Sequence, residues 1–541
     1  MMKEFSVPVR DGTQIGVAVY APEGSGRYPA VLAASPYRYD NNTLPAGPQF
    51  LWRETGPVEF YVKSGYAYVH MDVRGSGKSG GLFEFLGPNE QRDLYDVIEW
   101  IAKQPWSNGK VGGLGQSYFC MSQWWMGILA PPALACIAAY DGLNDPYRAT
   151  CYQGGIPGQF IPGYWWNQNR IINRFPANGA VPRVQETDLD MMITAHPAYD
   201  DFWRTRCAWE RLPEIKVPLY SIGIWGKIDL HTRGNIDGFR RAKGPRKLQM
   251  RGPPNAWAAN AEFNGVEVHE KVLMPFYDRY LKNLSTDYEK RPAVEYFVRG
   301  ANVFKSADTW PPAGVKYKSW FLNGAKSGSV TSLNDGGLSP QKPSDNESTS
   351  YAYPNPGWVT GVVGFGPSGP PNFDPVRRVL TFTTAPLEKD LEIAGPIKLV
   401  LYASSTRTDT DFIVKLSEQF PQSGEDRAKG LNPQAQLVTK GWLRASHRAL
   451  DPKYSTEMEP YHSHSSPEPI KPGEVYKLEI SIEPNAIRFK QGNRIRLEIV
   501  NGDSPITDVL WTHYYQPNKI GQDTIYHGAR YASELVLPVM E

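Results

Sequence analysis

Ser117 is the residue of this chain whose surroundings best suit covalent chemistry. It lies in Val111-Gly-Gly-Leu-Gly-Gln-Ser-Tyr-Phe-Cys-Met-Ser-Gln-Trp124, between an apolar run ending at Gly115 and a helix-compatible segment from Tyr118 to Leu129. A strand that turns sharply into a helix with serine at the corner lifts the hydroxyl clear of the backbone, as in a nucleophile elbow. The hydroxyl alone is a weak nucleophile and needs both that exposure and a base. Gly115 lets strand and helix approach closely, whereas Phe119 departs from the common G-x-S-x-G form. The same five residues also fit an ordinary serine at a helix start. A second run, Gly75-Ser-Gly-Lys-Ser-Gly80, contains the Gly-Lys-Ser of a phosphate loop, but Asp72 stands where that motif needs its first glycine. It reads as a turn near the serine, with Asp72 and Arg74 as structural charges.

The elements that must hold Ser117 follow from periodicity. Residues 4–20 alternate as two strands about an Asp11-Gly12 turn, and buried-strand patterns follow at 29–35 and 66–73. Leu94, Ile98 and Ile101 recur at helical spacing within 89–103. Strands at 133–140, 218–225 and 246–251 then alternate with helices at about 232–242 and 266–281. This order predicts a mostly parallel sheet covered on both faces, with the ligand site beyond the carboxyl ends of its strands, where Ser117 falls.

The interval 144–212 breaks the alternation and is rich in Trp, Tyr, Pro and Gly. It reads as a mainly helical cap whose Phe160, Trp165 and Trp166 either line an acyl or aryl pocket or pack the cap onto the sheet. After about Gly300 short strand patterns take over, at 378–383, 397–402, 474–482 and 495–500, which predicts a β-sandwich of jelly-roll type. Segments 324–376 and 419–434 read as loops. The resulting division is 1–143 and 213–300 for the α/β core, 144–212 for the cap and 301–541 for the sandwich.

The 541 residues are 41% hydrophobic and 21% charged with a formal net charge of +2, an ordinary globular composition with no electrostatic footprint for nucleic acid or anionic membrane. The amino terminus has no apolar segment of signal-peptide length, and no later run has the length of a membrane span, so a cytoplasmic protein is expected. Cys120, Cys136, Cys151 and Cys207 lack metal or disulfide spacing and read as small buried residues, so no metal or cofactor is expected. A homo-oligomer is compatible with the composition.

Several stretches together resemble the CocE/NonD family of serine hydrolases, which includes cocaine esterase, the α-amino acid ester hydrolases and the X-Pro dipeptidyl peptidases. They are Ser35-Pro-Tyr37, Asp72-Val-Arg-Gly-Ser-Gly-Lys-Ser-Gly80, the Asp93 to Val111 segment, Gly115-Gln-Ser-Tyr118, Phe276-Tyr-Asp-Arg-Tyr-Leu-Lys282, Ala385-Pro-Leu387, Asp409-Thr-Asp-Phe412 and Gly441-Trp-Leu-Arg-Ala-Ser-His-Arg448. The resemblance covers nearly the whole chain and implies an α/β-hydrolase domain with a helical cap and a carboxy-terminal jelly roll. It implies Ser117 as nucleophile, with the Tyr37 hydroxyl and the Tyr118 amide as oxyanion hole. Trp225-Gly-Lys-Ile-Asp229 resembles the family's Trp-Tyr-Asp segment with two extra residues, which implies Asp229 as the acid.

The histidine departs from the pattern. The family places it in Gly-Pro-Trp-x-His after the last core strand, but this chain reads Arg251-Gly-Pro-Pro-Asn-Ala-Trp257, with Asn255 or Ala256 at that place and no histidine between His231 and His269. Neither residue takes a proton from serine at neutral pH. His269 on the next helix either reaches back as the base or is a buried structural histidine; His231 would need a reversed local loop, and His462 and His464 read as exposed-loop residues. Ala256 is alternatively an engineered replacement, or the chain a degraded hydrolase that binds without turnover. The expected activity is hydrolysis of a small-molecule carboxylic ester or amide through an acyl-enzyme. X-Pro peptidase activity is the weaker expectation, because the larger relatives carry an extra amino-terminal domain and the catalytic pattern begins here almost at once.

Overall fold

The runs Tyr28–Ser35, Ala67–Asp72 and Leu134–Tyr140 bury almost every side chain, as strands covered on both faces must. In the computed structural model, which describes residues 2–44, 53–175, 187–354, 379–503, 508 and 512–541, they belong to one sheet. Its members are β1 (Met2–Pro8), β2 (Gln14–Tyr20), β3 (Tyr28–Ser35), β4 (Ala67–Asp72), β5 (Ser107–Gln116) and β6 (Leu134–Tyr140). A two-residue hairpin, β7 (Tyr152–Gln153) with β8 (Ile156–Pro157), lies in the cap, and the sheet resumes with β9 (Leu219–Ile224), β10 (Arg246–Arg251), β11 (Val294–Val298) and β12 (Val303–Ala307). The order is β1-β2-β4-β3-β5-β6-β9-β10-β11-β12. From β4 to β11 the neighbours run parallel. β12 lies antiparallel on the edge, so the sheet continues past residue 300.

The helices bury the faces their periodicity dictates. Pro88–Ala102 buries Leu94, Val97, Ile98 and Ile101. Tyr118–Leu129 packs against β3, β5 and β6 and is buried along nearly its whole length, which its uniformly apolar sequence permits. The helix expected at 266–281 is present as one continuous helical run from Val266 to Leu281, and a further helix, Ala256–Asn264, precedes it across Gly265, which adopts an extended conformation. The Gly75–Gly80 run forms a turn in which Asp72 accepts from the amides of Tyr39 and Lys78, and Arg74 binds Asp93 in a bidentate pair. All four cysteines are buried and unpaired. No helix among the described residues is long and apolar enough to cross a membrane.

The carboxy-terminal strands, from Val315–Asn323 to Glu534–Met540, form a second sheet that closes on itself through pairing of Leu391–Ser405 with Glu534–Met540, giving a barrel-like sandwich with its own apolar core. Two expected loops contain structure. Gly336–Ser339 and Ser348–Tyr353 are strands within 324–376, of which 355–376 lie outside the described residues, and Gly424–Ala428 is a short helix capped by Ser423. His462 and His464 are likewise buried, not exposed. Their segment folds onto the cap, where Arg148 donates to the His462 and Ser463 carbonyls and Tyr199 to the His464 carbonyl.

Candidate active site

Ser117 stands between β5 and the helix Tyr118–Leu129 with φ 60° and ψ −121°, a left-handed backbone that a non-glycine residue holds only under constraint. Its amide donates to the Asp141 carbonyl at 2.9 Å, and its carbonyl accepts from the Cys120 and Met121 amides that start the helix. Gly115 has φ 131°, and a Cβ there would lie 2.3 Å from the Phe119 Cβ, so only glycine permits the approach.

The serine lines a cavity of about 580 Å³ between core, cap and carboxy-terminal domain. Tyr37 reaches it from the segment after β3. Its Oη accepts from Trp165 Nε1 at 3.0 Å, and Tyr37 shares the cavity wall with Ser117. The Tyr118 amide is the first of its helix and has no intrahelical acceptor. The Tyr118 ring stacks on Trp165 at 5.8 Å, and its Oη donates to Glu90 Oε1 at 2.7 Å. Phe160 and Trp165 are in the cavity wall; Trp166 is not, because it is buried against Phe83 at 5.4 Å on the far side of its helix turn.

Asp229 lines the cavity but hydrogen-bonds to no histidine among the described residues. Its Oδ1 accepts from Lys440 Nζ of the carboxy-terminal domain at 2.8 Å, and Lys440 is shared with Asp508 at 2.6 Å. His269 lies outside the cavity wall and both its ring nitrogens are engaged. Nε2–H donates to the Phe263 carbonyl at 2.5 Å, Nδ1 accepts from the Tyr61 hydroxyl at 2.8 Å, and burial pushes the ring down to about 4. It is the buried structural histidine of the two readings. Asn255 caps the helix Ala256–Asn264 by accepting from the Ala258 amide at 3.0 Å, and Ala256 contributes only a methyl group to the cavity.

Three charged residues that the motif did not bring forward occupy the space around the serine. Asp141, at the end of β6, accepts from Gln116 Nε2 at 2.7 Å, Lys227 Nζ at 2.8 Å and His231 Nδ1 at 3.2 Å. Burial disfavours that carboxylate, but Lys227 and His231 together hold it well below its ordinary range. Lys227 also donates to Asn260 Oδ1 at 3.0 Å. Lys227 follows the carboxyl end of β9, two residues before Asp229. Gly226 packs so tightly on residues 253–255 that a Cβ would lie 2.4 Å from the Asn255 nitrogen, so the two altered segments fit each other. Glu54, from the segment before the helix Val58–Lys63, shares the cavity wall with Ser117 and Tyr37, which both favour its charged form. Burial pushes its carboxyl up to about 8 against the pull of Lys227. Asp141 and Lys227 follow the carboxyl ends of strands, where a site is expected; nothing around Glu54 in the sequence marks it.

Residues 11–253 match the family model of the X-Pro dipeptidyl-peptidases (S15 family), and residues 286–536 match that of the X-Pro dipeptidyl-peptidase C-terminal non-catalytic domain. A Mycobacterium bovis protein named as a candidate serine esterase is 27% identical over 99% of this chain and 95% of its own length. The cocaine esterase of a Rhodococcus is 24% identical over 99% and 98%. A solved structure of a CocE/NonD family hydrolase from Staphylococcus aureus superimposes with a TM-score of 0.83 at 28% identity, covering 100% of this chain and 93% of that one.

Proposed function

The chain belongs to the CocE/NonD-like, X-Pro dipeptidyl-peptidase family of serine hydrolases, and within that family's ester and amide hydrolysis we propose Ser117 as the nucleophile that accepts the acyl group. One observation carries this reading: Ser117 holds a strained left-handed corner that opens on a cavity whose wall includes Tyr37. We read that corner as a nucleophile elbow and the carboxy-terminal domain as a jelly roll. Ser117 Oγ attacks the substrate carbonyl carbon, and the resulting oxyanion accepts from Tyr37 Oη–H and the Tyr118 amide. The Trp165 N–H occupies a lone pair of Tyr37 Oη and leaves the tyrosine proton for donation. The alcohol or amine departs, and water releases the acid from Ser117.

A small-molecule ester or amide suits the cavity, with its apolar part against Phe160 and Trp165. Turnover of a short-chain p-nitrophenyl ester tests the reading. Ser117→Ala is expected to abolish it, and Tyr37→Phe to lower kcat by roughly 10²–10³, the cost of one oxyanion donor. Full turnover by folded Ser117→Ala would move the chemistry to another residue.

A further inference from the structure

Ser117 needs a proton acceptor, and Asn255 or Ala256 stands where the resemblance places the histidine. The ionisable groups that line the cavity are therefore the field of choice: Glu54, Lys227, Asp229, His231, Arg299 and Lys440. Four of them are committed as charges. Asp229 and Lys440 bind each other, Lys440 also binds Asp508, and Lys227 is held by Asp141 and Asn260. Arg299 donates to the Leu437 and Val438 carbonyls and carries no basic lone pair. His231 binds Asp141 through Nδ1 and keeps Nε2 as its basic nitrogen, but burial lowers its proton affinity, and no hydrogen bond joins it to Ser117 among the described residues.

Glu54 is placed differently. It is 2% exposed, its carbonyl accepts from the Gln116 amide at 3.3 Å, and its side chain shares the cavity wall with the neighbouring Ser117. Its Oε2 is buried without a hydrogen-bond partner among the described residues. An unsatisfied buried carboxyl oxygen is costly and is retained where it has work to do. The charged and titratable groups around it come from four strand ends: Tyr37 after β3, Ser117 after β5, Asp141 after β6 and Lys227 after β9.

Taking the Ser117 reading above as its premise, the geometry points to Glu54 as the catalytic base of this hydrolase, in place of a histidine. As Ser117 Oγ bonds to the carbonyl carbon, its proton passes to the Glu54 carboxylate and the carbonyl π electrons move to the oxygen. When the tetrahedral centre collapses, the bond to the leaving oxygen or nitrogen breaks and Glu54 returns the proton to that atom. Water then attacks the acyl carbon and gives its proton to Glu54, and Ser117 Oγ recovers it as the carboxylic acid leaves. Lys227 is a positioning residue whose cation favours the charged form of Glu54.

The active form of Glu54 is the deprotonated one, and burial pushes its carboxyl up to about 8. kcat/KM of the wild type is therefore expected to rise with pH through a midpoint near pH 8. Glu54→Gln should lose kcat/KM by roughly 10²–10⁴ together with that limb, while Glu54→Asp keeps the limb at reduced rate and His231→Gln keeps its midpoint. A Glu54→Gln enzyme with near-wild-type kcat/KM and an unchanged limb overturns the inference, as does loss of the limb in His231→Gln. Should Glu54→Gln fail to fold, the wild-type profile still decides: a limb centred near pH 6, or no limb, overturns it. If the Glu54 variants behave like the wild type while Ser117→Ala is dead, only the base assignment falls; if Ser117→Ala hydrolyses like the wild type, the Ser117 reading falls first.

Discussion

At the scale of single residues, the proposed serine centre brings together charged groups that the sequence motif did not pair. Ser117 and Tyr37 occupy positions that the spacing of the chain already indicated, because a strand-to-helix corner and a Pro-Tyr turn are local features. The partners were not legible in the same way. Asp229 was singled out by its motif, yet it faces Lys440; His269 was chosen as the next histidine along, yet it serves Phe263 and Tyr61. Glu54 and Lys227 meet Ser117 only through the packing of strand ends that lie far apart in sequence. Lys227 gives a test of that arrangement. Its cation lowers the Glu54 proton affinity, so Lys227→Met removes stabilisation of the carboxylate and raises its pKa. The rising limb of kcat/KM is expected to move to higher pH in this variant, as measured by ester turnover between pH 6 and 10. A shift to lower pH would contradict the assigned contact.

At the scale of elements, the alternation of strands and helices was read correctly through β10, since each run is long, apolar and bounded by Gly or Pro. The helix Ala256–Asn264 was missed because its hydrophobic periodicity is weak, and its start is marked only by the Asn255 cap. That helix begins where the family's histidine belongs, and its entry loop is packed on Gly226. Restoring one residue therefore does not restore the family's triad. Ala256→His is expected to leave kcat/KM no higher than the wild type, because Asp229 is bound to Lys440 and Asp141 to Lys227 and His231. A large gain in this variant would show that a histidine there finds an acid without further change.

At the scale of the whole molecule, the cavity is closed by three parts of the chain, and the carboxy-terminal domain supplies Lys440 and the carbonyls that hold Arg299. The existence of that domain was evident from the change in periodicity after residue 300; its contribution to the wall was not, since such contacts leave no local pattern. Asp229 joins the two domains through Lys440. Asp229→Asn is expected to lower stability in urea unfolding by roughly 1–3 kcal/mol, the cost of weakening one buried charged hydrogen bond, while the pH midpoint of turnover stays in place. Loss of that midpoint with unchanged stability would instead give Asp229 a catalytic part. The most direct measurement is the rate at which a fluorophosphonate labels the folded protein as a function of pH, with the adduct located by peptide mass spectrometry. Labelling at Ser117 that accelerates through about pH 8 and disappears in Glu54→Gln is the predicted result. Folded protein that resists the probe at every pH, or an adduct on another residue, would contradict a Ser117 hydrolase driven by a buried carboxylate.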